Sequence, residues 1–151
     1  MSDTLKKIYL SAMNSLARRE HTETELLRKL QAKQFPDEEI HIALKKLVEE
    51  GALSHDRFIE TYIRSRRNKG YGPLRIEGEL KERGLKEDFI DPHLDMADNA
   101  WFTQARAVWQ KRFKGQYPND FKAKAQQARF LQYRGFTTEH IESIFNNNDD
   151  E

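Results

Sequence analysis

Residues 131–145 read Leu131-Gln132-Tyr133-Arg134-Gly135-Phe136-Thr137-Thr138-Glu139-His140-Ile141-Glu142-Ser143-Ile144-Phe145, and their apolar positions decide the architecture. Leu131, Phe136, Ile141 and Phe145 are separated by steps of 5, 5 and 4. The same steps join Leu80, Leu85, Ile90 and Leu94, and again Leu30, Phe35, Ile40 and Leu44, with first anchors 50 and then 51 residues apart. Four matched positions in three places mark an internal repeat, and repeats of this length signal stacked supersecondary units.

The steps have a physical meaning. The first anchor closes a helix. Gly84 or Gly135 stands one residue before the second anchor, where a helix ends readily in a left-handed residue without a Cβ. The first copy has Gln34 there, so its turn is expected to be less favourable or differently shaped. The second anchor clamps the turn, and the last two, four apart, share one face of a further helix.

Ahead of each pair the sequence predicts a longer helix, from the periods of Leu5, Ile8, Ala12 and Leu16, of Phe58, Ile59, Tyr62 and Ile63, and of Phe102, Ala105, Val108 and Trp109. Capping residues agree: Thr22 and Glu25 make a T-x-x-E box, Ser54 precedes the second unit and Thr137 the last helix. Pro73, after Gly70-Tyr71-Gly72, suits the start of a helix. The final helices are expected over Asp37–Glu49, Lys86–Leu94 and Thr137–Phe145. No segment reads as a strand. The fold class is therefore all-α: three tandem three-helix repeats, residues 1–53, 54–97 and 98–146, forming an elongated, curved scaffold docked through apolar seams, with a disordered acidic tail over 147–151.

Composition fits stacked small units. Of 151 residues, 37% are hydrophobic and 34% charged, enough for narrow cores under a wet surface. There is no cysteine, hence no disulfide or thiolate site. No membrane span or apolar secretion leader is legible, so a cytoplasmic protein is expected. The net charge is only +1, but residues 57–83 hold eight Lys/Arg against four Asp/Glu, and residues 101–134 eight against one. Residues 84–100 and 137–151 are acidic. Such blocks can present a basic stripe on a nearly neutral chain, or can be uneven solvated faces.

Enzymatic chemistry has little support. The five histidines, His21, His41, His55, His93 and His140, show no ligand spacing, so no metal or cofactor is expected. Gly70-Tyr71-Gly72 lacks the strand, third glycine or Lys-Ser/Thr ending of a phosphate loop. No nucleophile comes with a base and an orienting group.

Two groups suggest recognition. Arg64, Arg66, Arg67 and Lys69 lead into Tyr71 and Arg75, where cations beside a rigid turn can hold phosphates or carboxylates, or can simply favour a helix C-terminus. Lys122, Lys124, Arg129 and Arg134 in the third unit follow Arg106, Lys111, Arg112 and Lys114, and an exposed Tyr117 or Tyr133 could stack on bases. Trp101, Trp109 and Phe113 read as core. The final helix of each unit carries more acids than bases, which disfavours insertion into a major groove.

The run Asp56-Arg57-Phe58, then Ser65-Arg66-Arg67-Asn68-Lys69-Gly70-Tyr71-Gly72-Pro73-Leu74-Arg75-Ile76, Glu79-Leu80 and Arg83-Gly84-Leu85, resembles the RecX family, as does Arg129-Phe130-Leu131 through Tyr133-Arg134-Gly135-Phe136. The likeness covers roughly residues 8–146 and departs at the short acidic tail. It implies a bacterial cytoplasmic regulator of the RecA recombinase with three tandem three-helix repeats and no cofactor. Such a protein binds in the groove of the RecA–single-stranded DNA filament and restrains ATP hydrolysis, strand exchange, coprotease action and filament extension, in DNA repair, homologous recombination and the SOS response. The expected partners are that filament and single-stranded DNA, with duplex DNA as a second target, and no membrane; a monomer is expected. The ten candidate contacts are Arg64, Arg66, Arg67, Lys69, Tyr71, Arg75, Lys122, Lys124, Arg129 and Arg134. A general nucleic-acid-binding helical module without a protein partner, and a pure protein scaffold, stay open as rival readings.

Overall fold

The computed structural model describes residues 2–149, which form nine α-helices and no strand. The first unit comprises α1 (Asp3–Arg18), α2 (Glu23–Ala32) and α3 (Asp37–Glu49). The second comprises α4 (His55–Asn68), α5 (Pro73–Glu82) and the single turn α6 (Glu87–Ile90). The third comprises α7 (Asn99–Phe113), α8 (Phe121–Arg134) and α9 (Thr138–Asp149). None of these helices is long and apolar enough to cross a membrane.

The helix ends follow local chemistry. Thr22 and Glu25 exchange two 3.0 Å bonds in a complete capping box. Thr137 and His140 make the same reciprocal pair at 3.1 Å each way, with the imidazole in the place a Glu usually takes. Because His140 Nδ1 accepts the Thr137 amide, Nε2 carries the proton and donates to the Met96 carbonyl at 2.7 Å. This buried histidine thus pins the start of α9 to the connection between the second and third units.

The repeat turns are close to one another in shape. Gln34, Gly84 and Gly135 all have positive φ, at 66°, 91° and 102°. Each amide bonds three residues back, at 2.8, 3.0 and 2.9 Å. The outer bond of the Schellman turn, Leu85 to Leu80 and Phe136 to Leu131, has no counterpart from Phe35 to Leu30 among the described residues. The first turn therefore keeps the left-handed residue without a glycine, and it is looser. Phe35 is correspondingly half-buried, whereas Leu85 and Phe136 are buried.

One expectation needs correction. The second unit's last helix does not run from Lys86 to Leu94: it is one α-turn followed by a 3₁₀ turn over Asp91–His93. Pro92 has no amide hydrogen to give the Asp88 carbonyl, and its ring crowds the preceding turn. α9 is assigned as far as Asp149, and the acidic tail expected over 147–151 runs into residues 150 and 151, which lie outside the described residues.

Three repeats make two cores. Ile8, Ala12, Leu26, Leu30, Ile40, Leu44 and Leu47 close the first unit on itself. One continuous cluster, from Phe58 through Ile76, Leu80 and Trp109 to Leu131 and Phe136, fills both the second and third units. The seam between the first two units is mixed rather than purely apolar, with Leu27 and Leu44 facing Leu85 and Phe89 across a cavity. It carries Arg57–Glu20 at 2.9 Å, Arg83–Glu25 at 3.7 Å and His55–Glu23 at 3.5 Å, with Thr24 against Gly84. The accessible surface is 9645 Å², against roughly 8000 Å² for a compact 17.9 kDa monomer. That excess fits an elongated molecule.

Candidate functional site

The joint between the second and third units is a backbone contact made by two glycines. Gly72 donates its amide to the Arg134 carbonyl at 2.7 Å, and Leu74 donates to the Gly135 carbonyl at 2.9 Å. The Gly70-Tyr71-Gly72-Pro73 turn therefore docks one repeat on the next.

Around that joint Tyr71 forms a hub. The guanidinium carbons of Arg66, Arg75 and Arg134 lie 4.0, 4.4 and 5.2 Å from its ring centroid. Arg66 donates Nε and Nη2 to the two Glu79 oxygens at 2.9 and 2.8 Å, Tyr62 donates its hydroxyl to Glu79 at 3.0 Å, and Arg75 lies 3.5 Å from the same carboxylate. Burial alone would raise the Glu79 carboxyl, but the bonds from Arg66 and Tyr62 outweigh it and hold it below its ordinary value. Burial would likewise lower Arg66, but its bonds to Glu79 raise it. Arg134 donates to the Lys69 carbonyl at 3.3 Å, at the C-terminal end of α4. Tyr71, Arg75 and Arg134 thus join the two repeats, while Arg66 braces the Tyr71 ring and Glu79 from within the second.

The remaining candidates do not form one patch. Lys69 and Arg134 open onto a cleft of about 400 Å³ between α4, α7 and α8, whose floor includes Val108 and Phe130. Lys111 and Arg112 from α7 complete its cationic rim, Asn68 and Gln104 supply amides, and no Asp or Glu lines it. Arg64 and Arg67 lie along another side of α4, beside Glu60 and His93. There His93 meets Asp56 at 2.8 Å, so that surface is of mixed charge. On α8, Lys122 and Arg129 are exposed, while Lys124 approaches the Phe145 ring at 5.5 Å in the groove against α9.

The aromatic assignments divide. Trp101 and Trp109 are buried, Trp109 donating to Gln127 at 2.8 Å. Tyr117 is not an exposed stacker, because its ring packs 4.8 Å from Trp109. Tyr133 is exposed. Lys111 and Arg112 belonged to the basic run legible in the sequence, but nothing in their spacing distinguished cleft from free surface. Gln104 and Asn68 carried no signal at all. Among the described residues no group of three or more His, Cys, Asp or Glu could hold a metal ion.

Comparison with known proteins gives a consistent answer. Family models described as the first, second and third three-helix domains of RecX match residues 9–47, 54–94 and 100–145. The chain is 47% identical over 147 residues to the regulatory protein RecX of Pseudomonas entomophila (strain L48), covering 97% of this chain and 95% of that one. It is 45% identical over 141 residues to that of Ectopseudomonas mendocina (strain ymp), covering 93% and 94%. The crystal structure of RecX from Lactobacillus salivarius superposes with a TM-score of 0.86 over 100% of both chains at 19% identity. A crystal structure of regulatory protein RecX superposes at 0.81 and 23% identity, over 95% of this chain and 72% of that one. At those identities the structural likeness is one of fold.

Proposed function

Since the chain belongs to the RecX family of regulatory proteins, we propose that it regulates the RecA recombinase without catalysis of its own, by lying in the groove of the RecA–single-stranded DNA filament. There it restrains ATP hydrolysis, strand exchange and filament extension. The observation that carries the reading is the cationic cleft beside a glycine-locked joint, because a stiff two-repeat body with an acid-free basic opening suits a long polyanionic partner. Bridging neighbouring protomers, such a body opposes the relative motion that hydrolysis in a filament requires.

Lys69, Lys111 and Arg112 at the cleft and Lys122 and Arg129 on α8 meet DNA or acidic recombinase surface; Arg66, Arg75 and Arg134 hold the geometry. The test is inhibition of filament ATPase by Lys111→Glu/Arg112→Glu, with wild-type protein alongside. Lost inhibition with an unchanged melting temperature supports the proposal; undiminished inhibition overturns the assignment of the cleft. Equal binding to bare strand and to filament would favour the general nucleic-acid module instead.

A further inference from the structure

α8 carries four cations, Lys122, Lys124, Arg129 and Arg134, and no acid. At 100° per residue, Lys122, Gln126, Arg129 and Tyr133 fall within about 60° of one another and Phe121 about 80° to one side, so the five share one broad outer arc, and all five are exposed. Phe121 is 86% exposed and Tyr133 76%, the two most exposed large apolar side chains of the described residues. Neither contributes to either core.

We infer that this outer face of α8 is a docking surface for single-stranded nucleic acid, with Phe121 and Tyr133 as base-stacking platforms and Lys122 and Arg129 as phosphate contacts between them. The inference rests on the reading above and specifies which surface meets the strand.

Several observations favour a strand over an acidic protein. The aromatics stand twelve positions apart, about 18 Å along the axis, which is about five base steps at 3.4 Å. They therefore bracket a length of strand rather than pinching one group. Both cations lie between the two rings, so phosphates can be held along the stretch whose end bases stack, and every base offers a π-face whatever its sequence. Gln126 adds both a donor and an acceptor suited to base edges, which a carboxylate partner would not need. Tyr133 is also built as a platform. The Arg75 guanidinium lies 5.2 Å from its ring and donates to its carbonyl at 3.3 Å. One ring face thus has a fixed cation while the side chain stays open to solvent, so less rotamer freedom is lost on stacking.

The test uses the full chain and a labelled oligothymidylate in a salt titration. Phe121→Ala and Tyr133→Ala are each expected to weaken strand binding about fivefold or more, without changing the salt slope. Phe121→Tyr and Tyr133→Phe, which keep the rings, are expected to bind like wild type. Lys122→Gln/Arg129→Gln is expected to flatten the slope by about 1.4. Both rings are exposed, so melting temperatures should not move. The inference is overturned if wild-type protein does not bind the strand, if the double alanine variant binds within twofold of wild type, if polyglutamate competes as well as the strand, or if the alanine changes alter oligomeric state instead. Filament ATPase measured on the same proteins separates the two readings: strand binding through α8 without inhibition sinks the filament proposal alone, and inhibition without strand binding sinks the α8 face alone.

Discussion

Gly72 and Gly135 meet so closely that a Cβ on Gly72 would lie 2.5 Å from the Gly135 carbonyl carbon. A Cβ on Gly135 would in turn lie 2.4 Å from Arg75 Cβ, at a φ of 102° that already excludes most side chains. Two turns from different repeats interlock as backbone against backbone, and this contact makes the second and third units one body.

Gly72→Ala is therefore expected to destabilise the protein by about 1–3 kcal/mol, as overpacking does, and to separate the unfolding of the two units. Gly78, in the interior of α5 with open space around it, is the control. Gly78→Ala should stabilise by about 0.5–1 kcal/mol through lower unfolded-state entropy. Urea unfolding of the two variants checks both signs.

Glu79→Gln should destabilise by about 1.5–3 kcal/mol, because it removes the charge that Arg66 and Arg75 share and sets an NH2 donor where Oε2 accepted from Arg66. The pH dependence follows. The folded-state value of Glu79 lies below its ordinary 4.5, so its contribution is complete above 4.5 and is lost as pH falls through the lower folded value. Wild-type stability should decline over that acid window, and the Gln variant should decline less, as read from urea midpoints at successive pH values.

The first unit should behave as a separate foldon. Its core is closed on itself, and its seam to the second unit carries exposed ion pairs around a small apolar contact. Arg57 also donates to the Gly51 and Ala52 carbonyls at 2.7 and 3.0 Å, clamping the connection. Arg57→Ala is expected to expose the 50–54 link to limited proteolysis and to enlarge the radius of gyration, leaving the second and third units folded. A double-mutant cycle with Glu20→Gln should give only about 0.2–1 kcal/mol of coupling, diminishing in salt.

Substitutions of arginine should sort into two kinds. Lys111→Glu/Arg112→Glu is expected to reduce filament inhibition about tenfold or more at moderate salt while thermal stability holds. Arg66→Ala is expected to lower stability first, with any loss of inhibition following the unfolded fraction. Paired melting and ATPase measurements distinguish the two outcomes.

Much was legible in advance because it is local. The 5-5-4 spacing fixed where helices end and which faces are apolar, since helix period and left-handed turn geometry are properties of short segments. The Thr22–Glu25 box and the Ser54 cap were readable for the same reason. Residues 57–83 and 101–134 announced their basic character through composition alone. Lys111 could not be told from Lys114, nor Arg64 from Arg66, because a charge count carries no direction.

The sequence by itself determined the helical class, the threefold repeat and the family resemblance, each set by patterns within about fifty residues. Only the tertiary structure decided that three repeats share two cores, that the Gly70-Tyr71-Gly72 turn is a joint, and that Arg66, Arg75 and Arg134 surround one tyrosine ring. The physical reason is separation: Gly72 meets Gly135, and Arg75 meets Tyr133, across about sixty residues of chain. Such encounters depend on how whole helices pack, which no local periodicity encodes.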